Sequence, residues 1–298
     1  TKTAMGTRLL RQWLYHPLRT AEEINARLDK TAVLFRNEKA LAAVRDTLSS
    51  ILDIHRLTGR VAMQRAHGKD LLGIKQSLKA CIELARFSKT DNLFFLRLPQ
   101  ALNDDMERLY TLLDNSIAED CPIVFAEGGL IKPGWSEKLD ELRDTRDNAN
   151  KLLENYLEKE RKKSGIKNLK IKYNRLNGYF LEVTHGSLKT AEIPEHFIRR
   201  RSLASSDRFT TEALSKLETK LNDVSENIIA CEKELFFAVH TEVYNRIELL
   251  HLLAKEIAEL DVLQSFAYSA ALHAWVKPEF SADGLLDIRE GRHPVVEY

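Results

Sequence analysis

Apolar residues recur at helical spacing through most of the chain, and two stretches carry that pattern furthest. From Thr210 to Leu235, the residues Leu214, Leu217, Leu221, Val224, Ile228, Cys231 and Leu235 step by alternating threes and fours, the seam of a coiled coil. From Trp135 to Glu160 a similar stripe runs through Trp135, Leu139, Leu142, Ala149, Leu153 and Tyr156. Arg146 breaks that stripe, and if it faces the partner helix it needs an acidic mate. Each stretch is about 26 residues or more, so each reaches roughly 40 Å. Ser164-Gly165 ends the first, with Arg161, Lys162 and Lys163 in its last turn suiting the negative end of the helix dipole. Thr210 or Thr211, with Glu212 behind it, opens the second. The second continues with little interruption to about Trp275, where Pro278 closes it.

Between these two stretches the period falls to two. Leu169, Ile171 and Tyr173 alternate with Lys170 and Lys172; Tyr179, Leu181 and Val183 alternate with Phe180 and Glu182. The link Asn174–Gly178 contains the Asn-Gly pair that favours a hairpin turn. A third extended piece is expected at Phe197–Leu203. The simplest geometry for this order is a small β-sheet carried on the tips of two antiparallel helices.

The first 120 residues read as a helical bundle. A short helix has Leu9, Leu10, Trp13 and Leu14 on one face and stops at His16-Pro17. Thr20 with Glu23 forms a capping box for the next, whose apolar side is Ile24, Leu28 and Phe35. Further helices are expected near 38–52, 70–87 with Asp70 as N-cap, and 101–117. Pro122, Gly128, Gly129, Pro133 and Gly134 mark a loop or short hairpin before the long helix. The predicted fold is therefore mainly α. It consists of a helical core at 1–134, an ascending helix at 135–165, a β-rich insertion at 166–209 and a returning helix at 210–276. After Phe280 the helical period is lost, and Leu286–Ile288 and Val295–Val296 read as strands of a further domain at 277–298. Both ends read as cuts through a longer protein.

With 298 residues, 44% hydrophobic, the chain can bury a sizeable core. Its net charge of +1 hides an asymmetry. Residues 159–208 hold 13 Lys or Arg against 5 Asp or Glu, a net of about +8, which leaves about −7 for the remainder. That segregation suggests a polyanion partner for one part only. Three well-separated cysteines offer no disulfide framework or CxxC pair, and fit a reducing cytoplasm. No apolar run approaches 18 residues, so nothing argues for a membrane. No GxxxxGK[ST] loop occurs, and the nine histidines show no metal-ligand spacing. No catalytic constellation can be picked out, so the chain itself is expected to catalyse nothing and to hold no cofactor or metal.

The basic insertion is the positive signal. Lys167, Lys170, Lys172, Arg175 and Asn177 lie on or near the first hairpin. Arg199, Arg200, Arg201 and Arg208 flank the third strand, with Ser202, Ser205 and Ser206 between them. Lys and Arg neutralise phosphates and release counterions, and Ser hydroxyls add short hydrogen bonds to phosphate oxygens. Nothing in it suggests base reading. On composition alone, a solvated basic face and a DNA-backbone contact stand equal, with acidic protein or RNA as further possibilities.

Ile166–Asn174 with Gly178–Val183 resembles the clamp segment of the MutS family of DNA mismatch-repair proteins. Four more stretches agree in order: Thr3–Leu10 with Trp13-Leu14 and Pro17-Leu18; Asp53–Leu57 with Arg60; Gly129–Gly134; and Gly291–Glu297. The bacterial type looks closer than the eukaryotic relatives, because the insertion is compact. The resemblance implies a fragment: a helical core, two lever helices, and a clamp that closes over duplex DNA without reading its sequence. It implies a truncated ATPase domain from about Phe280, with ATP and magnesium belonging only to that domain of the parent. It also implies a dimer partner, a MutL-type protein reached through the parent, and a cytoplasmic, nucleoid-associated setting. The DNA-contacting set it implies is Lys170, Lys172, Arg175, Asn177, Arg199, Arg200, Arg201, Ser202, Ser205, Ser206 and Arg208. Ala204-Ser205 stands where relatives often carry a basic-amide pair. Phe125-Ala126-Glu127 matches the family's mismatch-probing pattern only by chance. The competing reading is a structural coiled-coil scaffold with a protein-binding β tip.

Overall fold

The computed structural model of the chain describes residues 1–174, 178–188, 193–280, 284–293 and 295–297. Six helices come first: α1 (Ala4–Tyr15), α2 (Ala21–Arg36), α3 (Glu38–Ser49), α4 (Ile54–Ala62), α5 (Gly68–Thr90) and α6 (Gln100–Ser116). Then follow the long α7 (Glu137–Ser164), β1 (Lys170–Asn174), β2 (Gly178–Thr184), the single turn α8 (His185–Leu188), β3 (Ile198–Ser202) and β4 (Ser206–Thr210). The helices α9 (Glu212–Tyr244) and α10 (Ile247–His273) complete the order. Two compact units result, one of Thr1–Arg65, Gly73–Thr111 and Val243–Tyr298, the other of Ala66–Leu72 and Leu112–Glu242.

In the first unit α1, α2, α3 and α4 pack around α10. A helix surrounded in this way must be apolar on every side, and Leu249, Leu253, Ile257, Leu260, Leu263 and Ala267 are all buried. One carboxylate, Asp261, is fully buried among them. It accepts hydrogen bonds from the N–H groups of Lys2 and Thr3 and from the Thr3 hydroxyl, each at 2.7 Å, and from the Gln264 amide at 2.7 Å. These donors replace the water a buried carboxylate would otherwise lose. The approach is so close that a Cβ on Gly6 would fall 2.1 Å from Asp261 Oδ2.

Several expectations about the helices and the stretch after them are corrected. Leu14 does not join the α1 apolar face; it is 73% exposed, and Met5 and Gly6 are the buried residues of that helix. Asp70 lies inside the first turn of α5, where its carboxylate reaches back to the His67 N–H at 2.8 Å. The returning helix is not continuous: a turn at Asn245-Arg246 separates α9 from α10. Arg246 donates there to Asp105 at 2.9 Å. The chain after His273 forms no strand among the described residues, and Leu286, Ile288, Val295 and Val296 are exposed.

The second unit is built on α7 and α9. Ser136 caps α7, its hydroxyl accepting from the Leu139 N–H, and Gly165 ends it in the left-handed conformation with its N–H on the Arg161 carbonyl. Thr211 opens α9 by accepting from the Leu214 N–H at 3.0 Å. Leu214, Leu221, Val224, Ile228 and Cys231 of the expected seam are buried. Side chains join the antiparallel pair at both ends: Arg143 to Glu232 at 2.7 Å, and the Tyr156 hydroxyl to the Thr211 hydroxyl at 2.6 Å. The arginine with an acidic mate on the other helix is thus Arg143, whereas Arg146 pairs with its own neighbour Asp147 at 3.1 Å. The loop before α7 also belongs here, not with the helical body expected at 1–134. Ile131 bridges Ile117, the Leu130 N–H donates to Glu232, and Arg143 donates to the Ile131 carbonyl at 2.7 Å. Phe125 packs edge-on against Phe236 at 5.0 Å, which gives the aromatic of the Phe125–Glu127 tripeptide a packing role.

Candidate nucleic-acid interface

The sheet has four strands in the order β1-β2-β4-β3, all antiparallel. The fourth strand, Ser206–Thr210, was not expected. Its only large apolar residue is Phe209, and Ser206, Asp207 and Thr210 are buried with it, so no two-residue alternation marks it. Hydrophobic contact then divides the sheet into two faces. Ile166, Leu169, Leu181, Val183, Phe197, Phe209 and Leu214 form one core with Leu153, Tyr156 and Leu157 of α7 packed against it. Among the described residues, polar links fasten the sheet and its flanking segments to the helices. Glu160, buried on α7, meets His196 Nε2 at 2.8 Å, and Arg161 donates to the Leu169 carbonyl at 2.9 Å. Glu218 of α9 accepts from the Tyr179 N–H at 2.9 Å.

Register decides which charges look outward. Side chains directly opposite in an antiparallel pair share a face. Lys170 stands opposite Glu182, Glu182 opposite Arg208, and Arg208 opposite Arg201. These four form one row across the sheet, on the face away from Leu181, Val183 and Phe209. Lys172, opposite Phe180, lies on the same face. The β3 strand carries a bulge between Arg199 and Arg201, so Arg199 pairs with Phe209 and Arg201 with Arg208. One extra residue, Arg200, therefore reverses the alternation. It sends Arg199 to the inner face and Arg201 to the outer one.

The arginines and lysines are accordingly not equivalent. Arg199 pairs with Asp207 at 3.0 Å and lies 5.6 Å from the Phe209 ring. Asp207 also accepts from the Ser202 hydroxyl and meets His185 Nε2 at 3.2 Å. The Ser202 hydrogen bond, the His185 contact and the Arg199 charge together hold the Asp207 carboxyl below the usual carboxylate range, against the opposing effect of burial. Lys172 pairs with Glu182 at 2.7 Å. Arg208 lies over the Phe180 ring at 4.4 Å, and its buried Nε has no hydrogen-bond partner. Lys170, Arg200 and Arg201 are exposed, and their side chains make no ion pair or hydrogen bond among the described residues.

Of the sequence-predicted set, the structure brings Lys170, Lys172, Arg201 and Arg208 together on the outer face, with Arg200 at the bulge. Ser205 is exposed in the tight turn between β3 and β4, where the Leu203 N–H meets the Ser206 carbonyl at 2.9 Å. Three of the set are placed elsewhere. Arg199 and Ser202 are engaged with Asp207, and Ser206 is buried. Arg175 and Asn177 lie outside the described residues. Residue reading overlooked Phe180, whose place on the polar side of β2 was the available signal that a cation would lie over it.

A mainly helical protein with an inserted antiparallel sheet, cationic on its outer face, is the class that fold and surface define. The comparisons with known proteins go further: the family description MutS domain III matches residues 1–267, and the chain belongs to the MutS family of mismatch-repair proteins. It is 53% identical to the DNA mismatch repair protein MutS of Treponema denticola, over all of this chain and 33% of that protein. The corresponding figures are 48%, all of this chain and 33% for MutS of Treponema pallidum, and 40%, all and 34% for that of Caldicellulosiruptor bescii. The chain thus spans about a third of the length of these curated relatives. No helix among the described residues is long and apolar enough to cross a membrane.

Proposed function

We propose that this chain gives a MutS protein its sequence-independent hold on duplex DNA, through the outer face of the sheet. The observation that carries this reading is the row Lys170, Glu182, Arg208, Arg201 with Lys172 and Arg200 beside it: five cations and one carboxylate on one surface. Such a surface neutralises phosphates along a backbone but offers no fixed donor–acceptor pattern for a base edge. Helices α7 and α9, joined by side chains at both ends, are the levers that carry motion between this clamp and the ATPase domain of the parent. ATP and magnesium belong to that domain, and the present chain acts without catalysis. Dimer formation and docking of a MutL-type protein are likewise functions of the parent.

The test is the binding of two duplexes of unrelated sequence across a salt series. Equal affinities that fall together as salt rises are expected, with a slope of about −0.9 per neutralised phosphate. Absence of binding at low salt would sink the DNA reading and leave a scaffold with a protein-binding tip.

A further inference from the structure

A second surface of the same unit has a chemistry that phosphate binding does not use. An open groove of about 670 Å³ runs between α7 and α9. Its floor is apolar: Leu152 and Tyr156 from one helix, Ala213 and Leu217 from the other. Leu152 is 49% exposed. Along each rim stand lysines, Lys159 and Lys162 on α7, and Lys216 and Lys220 on α9, with Glu158 the one carboxylate lining the groove.

The spacing makes this a built surface. Leu152, Tyr156 and Lys159 step by four and three, and Ala213, Leu217 and Lys220 repeat the same steps, so each helix turns one stripe toward the groove. The two stripes run antiparallel. Arg143–Glu232 and Tyr156–Thr211 hold the helices to each other through side chains, which sets the width of the opening between them. None of the lining residues belongs to the sheet, and their stripes point along helices.

We propose that this groove takes an acidic amphipathic helix from a partner protein, laid between α7 and α9 as a third strand of the bundle. Its apolar face would cover Leu152, Tyr156 and Leu217, and carboxylates on its flanks would meet the four lysines. From Leu152 to Lys162 the groove is about 15 Å long at 1.5 Å per residue, enough for about three turns. Charge complementarity selects the acidic helix. A nucleic-acid backbone would also meet the lysines, but it would leave the leucines in water, so the apolar floor favours protein over DNA. Lys216 is paired to Glu212 at 2.6 Å on the exposed helix surface. Surface pairs of this kind exchange partners readily, so the pairing does not block the site.

A fluorescent synthetic helix, with Leu at alternating three- and four-residue spacing and Glu at most other positions, is the probe, read by anisotropy on the whole chain. Saturable binding is expected, at least about tenfold weaker for Lys159→Glu with Lys220→Glu, because like charges then face each other. Leu152→Ser, which changes no charge, should weaken the peptide while leaving duplex affinity unchanged. The same peptide with Lys for Glu should not bind. No saturable binding, equal binding of the Lys peptide, or indifference to both variants overturns the proposal. Full displacement of the peptide by duplex also overturns it and makes the groove a nucleic-acid surface. Circular dichroism on each variant establishes that helix content is retained, and Lys159→Gln with Lys220→Gln repeats the test without charge reversal. Because Leu152, Lys159 and Lys220 lie outside the sheet and its core, loss of peptide binding with intact duplex binding separates this proposal from the DNA reading.

Discussion

Asp207 fixes the inner face of the sheet through one carboxylate shared by Ser202, His185 and Arg199. Its depressed pKa sets a pH window. The stabilisation is fully present above the ordinary Asp value of about 3.9, and is lost as pH falls through the lower folded value. Hydrogen-exchange protection of β3 and β4 should therefore hold down to about pH 4 and decline below it; in Asp207→Asn that part of the decline should disappear. A different residue-scale expectation concerns thiols. Burial pushes Cys81 up to about 12 and raises Cys121 as well, so neither should react with iodoacetamide at pH 8 until denaturant is added. Rapid alkylation of Cys81 in the native protein would contradict its burial. At Gly178 the backbone has φ +67°, and an added Cβ would fall 1.6 Å from Glu218 Oε1. Gly178→Ala should cost at least about 1 kcal/mol in urea unfolding, and Glu218→Ala should relieve only the clash and leave the backbone strain. Such close approaches are invisible in a sequence: Asn177-Gly178 announces a turn, but not the α9 carboxylate waiting beside it.

Among the described residues, one ion pair with a buried carboxylate joins the long helices of the second unit. Arg143 donates at 2.7 Å to Glu232, whose side chain is 2% exposed. Arg143→Met would leave that carboxylate buried without a cation and should cost about 3–5 kcal/mol; adding Glu232→Met should restore much of the loss. Equal stability of single and double variants would mean the pair is not coupled. Element boundaries were legible where capping chemistry stands at them. Gly165, Thr211 and Thr20 mark helix ends within a residue or two. The seam on α9 was legible because six of its seven positions are aliphatic. What was lost is whatever tertiary contact decides. The choice of Arg143 over Arg146 depends on where Glu232 lies across the groove. β4 is a strand because β2 and β3 both pair with it, and Ser206 and Asp207 give no apolar period to detect.

On the scale of the molecule, charge segregation was readable as a count, but not its direction. Composition put 13 cations into residues 159–208 and could not say which of them look outward. One bulge at Arg200 makes that division, placing Arg201 beside Arg208 on one face and Arg199, still 56% exposed, against Asp207 on the other. The family resemblance identified the chain; the register identified its cationic face. The two faces then predict different outcomes for neighbouring arginines. Arg199→Gln should loosen the sheet by leaving Asp207 short of a partner. Lys170→Ala and Arg201→Ala should leave it folded, since neither side chain is paired among the described residues. The most direct measurement is therefore duplex affinity across a salt series for the unaltered chain and for Lys170→Ala with Arg201→Ala. If the outer face meets phosphate, affinity falls and the slope of log Kobs against log salt becomes shallower by about 1.8, two neutralised phosphates at 0.9 each. An unchanged slope in a folded double variant would contradict it.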